Sequence, residues 1–146
     1  MGDAMNSRHT FDALGSEEVE HTADRAFRVR GRNLAELLEN AARTLVALDG
    51  EPSAGESVVR REIEIEGHDR ETLLVNWLNE ILYLEQTHHE FYDHFLLSDV
   101  TDIHLRARLD GRRLEHSVTS IKAVTFHNLQ IKETPEGLEA TIVVDV

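Results

Sequence analysis

Two acidic clusters, far apart along the chain, carry the residue types best suited to hold a hard cation. The sequence closes on Val144-Asp145-Val146, at the end of the apolar run 140–144. An aspartate side chain and the α-carboxylate of Val146 therefore stand next to each other at the end of what reads as a buried strand. Near the start is Glu20-His21-Thr22-Ala23-Asp24, a second acidic cluster at the margin of a strand-like stretch. If neighbouring strands bring the two together, Glu20, Asp24, Asp145 and the Val146 carboxylate supply the convergent oxygens that Ca²⁺ or Mg²⁺ requires.

Each of these residues also has a plainer reading. Asp24 suits a turn, where its side chain bonds local backbone N–H groups. His21 suits a half-buried ring satisfied by a neighbour. Glu36 stands three positions after Asn33, the spacing of a capping box at a helix start. Lys122 precedes an apolar stretch and reads as a solvated charge. Asp145 is harder to dismiss, because it closes a strand of Ile142, Val143 and Val144. Three histidines, His88, His89 and His94, raise zinc, but His89 and His94 match neither helical i,i+4 spacing nor strand alternation. No phosphate-cradling glycine loop or nucleophile elbow occurs, and no Ser, His and Asp spacing suggests a triad.

Positioning these residues falls to a chain long enough for one domain, 146 residues. Residues 1–16 are polar and read as a flexible N-terminal segment, with a single domain over 17–146. Cysteine is absent, which excludes disulfides, zinc-thiolate sites and thiol catalysis. No apolar span reaches 18 residues and no secretory h-region opens the chain, so the expected location is the cytoplasm. The formal charge is −13. Such a field opposes direct wrapping of nucleic acid and favours a basic protein partner.

Extended stretches are expected at 18–20 and 26–30. Asn33 then caps a helix whose Leu34, Leu37, Leu38, Ala41, Ala42, Leu45 and Leu48 share one face. Strict alternation marks a strand ending at Glu66. Asp69 caps a second helix with Leu73, Leu74, Trp77, Leu78, Ile81 and Leu82 in a stripe, ending near His89. Strands follow over 91–97, 103–109, 115–118, 123–132 and 138–144, with Asp110-Gly111 and Pro135-Glu136-Gly137 as hairpin turns. No internal repeat stands out. The order predicts an α+β fold, two helices packed on one face of a mainly antiparallel sheet.

Four segments taken together are similar to a known family. His21-Thr22-Ala23-Asp24, Asn33-Leu34-Ala35-Glu36, Lys122-Ala123-Val124-Thr125-Phe126-His127 and Val144-Asp145-Val146 resemble archease, in order and spacing, over about residues 17–146. The resemblance implies an archease-like sandwich and a protein that is not itself an enzyme. It implies an activator of the RtcB-type 3′-phosphate RNA ligase, which joins 2′,3′-cyclic-phosphate ends to 5′-hydroxyl ends in tRNA splicing or RNA repair. That ligase works with Mn²⁺ and a guanylylated histidine, and the activator promotes guanylylation and multiple turnover. RNA would then be met only indirectly, and no membrane would be involved. By the same resemblance Asp24, Asp145, the Val146 carboxylate and Glu20 form a divalent-cation site, for Ca²⁺ first and Mg²⁺ or Mn²⁺ as alternatives. Glu36, Lys122 and His21 match positions tied to cofactor activity.

Arg25 stands where the family usually has an aliphatic residue, and Glu20 where many members have the shorter Asp. Two other classes fit the same residues. One is a metal-dependent phosphohydrolase built on Asp24, Asp145 and Lys122. The other is a calcium-stabilised, chaperone-like interaction module.

Overall fold

The computed structural model describes residues 16–20, 25–48, 58–115 and 120–146, the first of these as backbone only. The elements run β1 (Ser16–Glu20), β2 (Arg25–Gly31), α1 (Leu34–Leu48), β3 (Val58–Glu66) and α2 (Arg70–His88). They continue with β4 (Glu90–Ser98), β5 (His104–Arg113), β6 (Ala123–Thr125), β7 (Lys132–Thr134) and β8 (Gly137–Asp145). The α+β class and the antiparallel pairing are as the sequence implies. The strands divide, however, into two sheets rather than one. The first has the order β1-β2-β8-β6, with β7 also on β8, and the second is β3-β5-β4.

Both helices touch strands of both sheets. The cause is the breadth of their apolar surfaces. Helix α1 buries Leu37, Leu38, Ala41, Ala42, Leu45 and Val46, and α2 buries Leu73, Leu74, Val75, Trp77, Leu78, Ile81, Leu82 and Leu84. Surfaces that wide need cover on more than one side. Trp77 ties the layers together: its Nε1–H donates to Leu38 C=O at 2.9 Å, and its ring meets Phe95 edge-on at 6.1 Å. No helix among the described residues is long and apolar enough to cross a membrane.

The two strand-to-helix junctions are built alike, a repeat that the bare sequence conceals. Gly31, Asn33, Leu37 and Asn40 recur at one constant interval as Gly67, Asp69, Leu73 and Asn76. Asn33 Oδ1 accepts from Glu36 N–H at 2.9 Å and Asp69 Oδ1 from Thr72 N–H at 2.7 Å, capping each helix. Asn40 and Asn76 each donate to a strand carbonyl, Arg30 and Glu66 respectively, both at 2.8 Å. A Cβ on Gly31 or Gly67 would collide with the backbone of Leu37 or Leu73. The pairing extends the likeness: Arg25 lies opposite Val144 in β2–β8, as Arg61 lies opposite Leu109 in β3–β5. Only a handful of side chains carry this repeat, so the periodic apolar pattern does not reveal it.

Two expected features change. Asp110-Gly111 is no hairpin turn, since β5 continues to Arg113. Gly111 instead lets Phe91 approach, beside a bulge between Tyr92 and His94, where a Cβ would meet the Phe91 carbonyl. The expected 123–132 strand is interrupted after Thr125, because Asn128 takes a left-handed φ of 51° and Leu129 N–H bonds back to Phe126 C=O at 2.9 Å. The Pro135-Glu136 turn does join β7 to β8, with Gly137 at φ 144°. The strand expected at 115–118 falls outside the described residues except at Glu115, which is not extended.

Candidate functional site

Antiparallel register brings Glu20, Lys122 and Asp145, three of the sequence candidates, to one end of the first sheet. Glu20 pairs with Arg25, Arg25 with Val144, and Val144 with Val124, so one row crosses all four strands. At about 4.8 Å per strand the row spans roughly 14 Å. Asp145 follows Val144 and pairs with Ala123. Lys122 donates its backbone N–H to the Asp145 carbonyl at 2.7 Å. Residues separated by most of the chain thereby become neighbours.

The side chains of Asp145, Val146 and Lys122 are exposed. Among the described residues, none hydrogen-bonds to or ion-pairs with the Asp145 carboxylate. Its counterpart in the repeat shows the contrast. Asp110 occupies the equivalent position in β5, and there Arg60 approaches at 3.1 Å and Arg108 at 3.5 Å. By the interval that matches Arg25 to Arg61, the residue corresponding to Arg60 is Asp24. A built-in cation thus serves one half of the fold, while the other half has an acid at the matching sequence position.

Helix α2 fixes the segment that carries Lys122. Asn79 donates its amide to Val124 C=O at 3.1 Å and accepts Val124 N–H at Oδ1, 2.8 Å away. Gln86, two turns on, donates to Ile121 C=O at 3.0 Å. The two amides bracket Lys122 and occupy backbone groups along the edge of β6, which would otherwise invite another strand. Sequence reasoning missed both. Their only signal is a polar side chain flanked by core positions, Leu78 and Ile81 around Asn79, and Leu82 and Leu84 before Gln86.

Glu36 is not part of this cluster. It lies past the Gly31 end of β2, about 20 Å from Arg25 at strand rise. Its carboxylate accepts from Arg32 N–H at 2.7 Å and faces the Arg32 guanidinium at 2.9 Å. The Arg32 hydrogen bonds hold it below the ordinary glutamate range. It is a capping residue by geometry. Asp24 and His21 lie outside the described residues, as does the side chain of Glu20.

Among the described residues no three His, Asp or Glu side chains converge to hold a metal. Of the described residues at the sheet end, Asp145 carries an exposed carboxylate, the donor chemistry a hard dication prefers. A groove of about 420 Å³ lies elsewhere, on the second sheet, lined by Glu62, Glu64, Leu96, Ser98, Arg106 and Arg108. Its charges are largely matched internally: Glu64 meets His104 at 2.8 Å and Arg106 at 3.3 Å.

Residues 17–146 match the model of the archease protein family. The protein named archease from Archaeoglobus fulgidus is 37% identical over 139 residues, spanning 88% of this chain and 96% of that one. The archease of Methanosarcina mazei is 34% identical, over 89% of this chain and 94% of its own. Among solved structures, Methanobacterium thermoautotrophicum protein 1598 aligns with a TM-score of 0.68 and 29% identity, over 91% of this chain and 99% of that one. A Thermotoga maritima structure described as an archease and possible chaperone aligns at 0.66 with 23% identity, over 88% and 94%, and shares the fold.

Proposed function

Because the chain belongs to the archease family, we propose that it is a protein activator of an RtcB-type RNA ligase, acting through a divalent-cation site at the end of the first sheet. The observation that carries the reading is the row Glu20, Arg25, Val144 and Val124, with Asp145 and Lys122 beside it. Asp24 immediately precedes Arg25 of that row in the sequence. Asp145, the Val146 carboxylate, Asp24 and Glu20 would hold the ion, Ca²⁺ before Mg²⁺ or Mn²⁺, given a donor set of flexible carboxylates. When bound, such an ion neutralises adjacent carboxylates and fixes them in one geometry.

The residues of this chain then have distinct tasks. Asp145 and its neighbours gather negative charge where a basic partner surface would meet it. Lys122, flanked by backbone groups that Asn79 and Gln86 hold, presents a flexible ammonium group from a fixed backbone position on that rim. Glu36 contributes at a distance, by fixing the β2–α1 junction. His21 stands beside the acids in sequence and is assigned to activity, not ligation. The protein does no bond chemistry in this account; it favours the state of the ligase that accepts guanylylation. A net charge of −13 suits a partner that binds RNA, since such a partner must display Lys and Arg.

The test is multiple-turnover ligation with GTP and Mn²⁺ at substoichiometric amounts of this protein. Stimulation that is lost in Asp145→Ala and Asp24→Ala supports the reading. Equal ligation with and without the protein overturns it, and nucleotide hydrolysis by the purified protein would place it among phosphohydrolases instead.

A further inference from the structure

We infer that Phe126 is an aromatic anchor which docks this protein into an apolar, basic-rimmed pocket on the ligase; the inference rests on the activator reading above. Phe126 is 54% exposed, and it lies on the chain segment between β6 and β7. Single exposed hydrophobic residues are common and by themselves mean little. Phe126 is singled out by its place, three residues from Ala123, which pairs with Asp145, on a turn held at both ends.

On its N-terminal side, Val124 is clamped by both groups of the Asn79 amide. Thr125 Oγ1 donates to Val143 C=O at 3.3 Å and accepts His127 N–H at 3.3 Å. Leu129 N–H closes the turn onto Phe126 C=O at 2.9 Å, around the left-handed Asn128. On the far side Ile131 is buried, and its N–H donates to Glu71 Oε2 at 2.9 Å, at the start of α2. The turn is fastened at both ends while Phe126, His127 and Asn128 stand in solvent. A side chain presented on a fixed backbone loses little freedom on binding, and rigid aromatics at the centre of an interface are its usual energetic anchors.

Position links the anchor to the candidate ion site. Ala123, which pairs with Asp145, is three residues from Phe126, at most about 10 Å along the chain. Both fit easily within one partner footprint of about 800 Å². A base-stacking role for Phe126 is disfavoured, since RNA-binding platforms pair aromatics with a basic groove and this chain is strongly acidic.

The experiment titrates the full chain and the Phe126→Ala and Phe126→Trp variants against the ligase in multiple-turnover ligation. The expected result is a half-maximal concentration raised at least tenfold for Phe126→Ala, with an unchanged plateau, unchanged melting temperature and unchanged Ca²⁺ binding. Phe126→Trp should stay near the parent. An unshifted titration for Phe126→Ala beside a fully active parent would overturn the anchor and leave the activator reading intact. A Phe126→Ala variant that melts earlier would assign the ring to folding instead. Labelled single-stranded RNA bound by the protein alone, and released by Phe126→Ala, would assign it to stacking and overturn the anchor. A parent that never stimulates removes both readings together.

Discussion

Asn79 and Val124 form a closed pair in which one side-chain amide satisfies both the N–H and the C=O of a single strand residue, at 2.8 and 3.1 Å. The amide stands in for a missing neighbouring strand at the edge of β6. Helix α2 thereby sets where Lys122 lies against Asp145. Asn79→Ala should leave two partly buried backbone groups to water and cost about 1–2 kcal/mol. The corresponding drop of roughly 3–8 °C is readable by calorimetry, with Asn79→Asp intermediate because it keeps the acceptor.

How much of this was legible beforehand depends on the length scale of each signal. Helix α1, helix α2 and their caps Asn33 and Asp69 follow from apolar spacing and local capping chemistry, and both helices appear as expected. Strand β8 and the turn at Pro135 follow equally from local pattern. Gly111 misled because Asp-Gly marks a turn on local grounds, whereas here a cross-strand backbone needs the missing Cβ. The division into two sheets was invisible for a similar reason: alternation says that a strand has a buried face, not which layer covers it. Asp145 and Lys122 were singled out by sequence, and the register makes them neighbours. Asn79 and Gln86 were not, since a polar residue on a helix gives no hint of the strand it will clamp.

The buried carboxylate of Glu90 supplies a second test. Arg61 grips it at 2.9 and 3.0 Å, and the Tyr92 hydroxyl donates to Oε1. Burial pushes Glu90 upward, but the Arg61 and Tyr92 hydrogen bonds outweigh it and hold the group below the ordinary range. A depressed carboxylate stabilises the fold above its unfolded value, about 4.3, and loses that contribution as pH falls through the folded value. Glu90→Gln leaves Arg61 without its charge partner and should cost about 2–4 kcal/mol at neutral pH by chemical denaturation. The difference from the parent should shrink on acidification.

His104 and Glu64 titrate as a coupled surface pair. The Glu64 hydrogen bond at 2.8 Å raises His104 above its ordinary value, and the same bond, with help from Arg106, lowers Glu64. The raised histidine favours the fold fully below about pH 6.5 and loses this as pH rises through its folded value; the lowered glutamate behaves in the opposite sense on acidification. Their mutual contribution is therefore greatest between about pH 4.3 and 6.5 and fades above that as His104 deprotonates, while the part of Glu64 held by Arg106 persists. NMR titration should show His104 returning toward its ordinary value in Glu64→Gln.

Cation binding has its own readout, independent of the ligase. Ca²⁺ should raise the melting temperature of the parent through preferential binding to the folded chain. Asp145→Ala should weaken Ca²⁺ binding at least tenfold by calorimetry, while Asp110→Ala, whose carboxylate already has Arg60, should leave it unchanged.

The central claim is that this chain readies the ligase for guanylylation through the acidic end of its first sheet. The direct measurement is the rate of covalent GMP transfer to the ligase histidine after a completed round of ligation, with radiolabelled GTP and catalytic amounts of this protein. The account expects repeated labelling with the parent, and labelling reduced to the ligase-alone level with Asp145→Ala. Labelling by Asp145→Ala equal to that by the parent would contradict it.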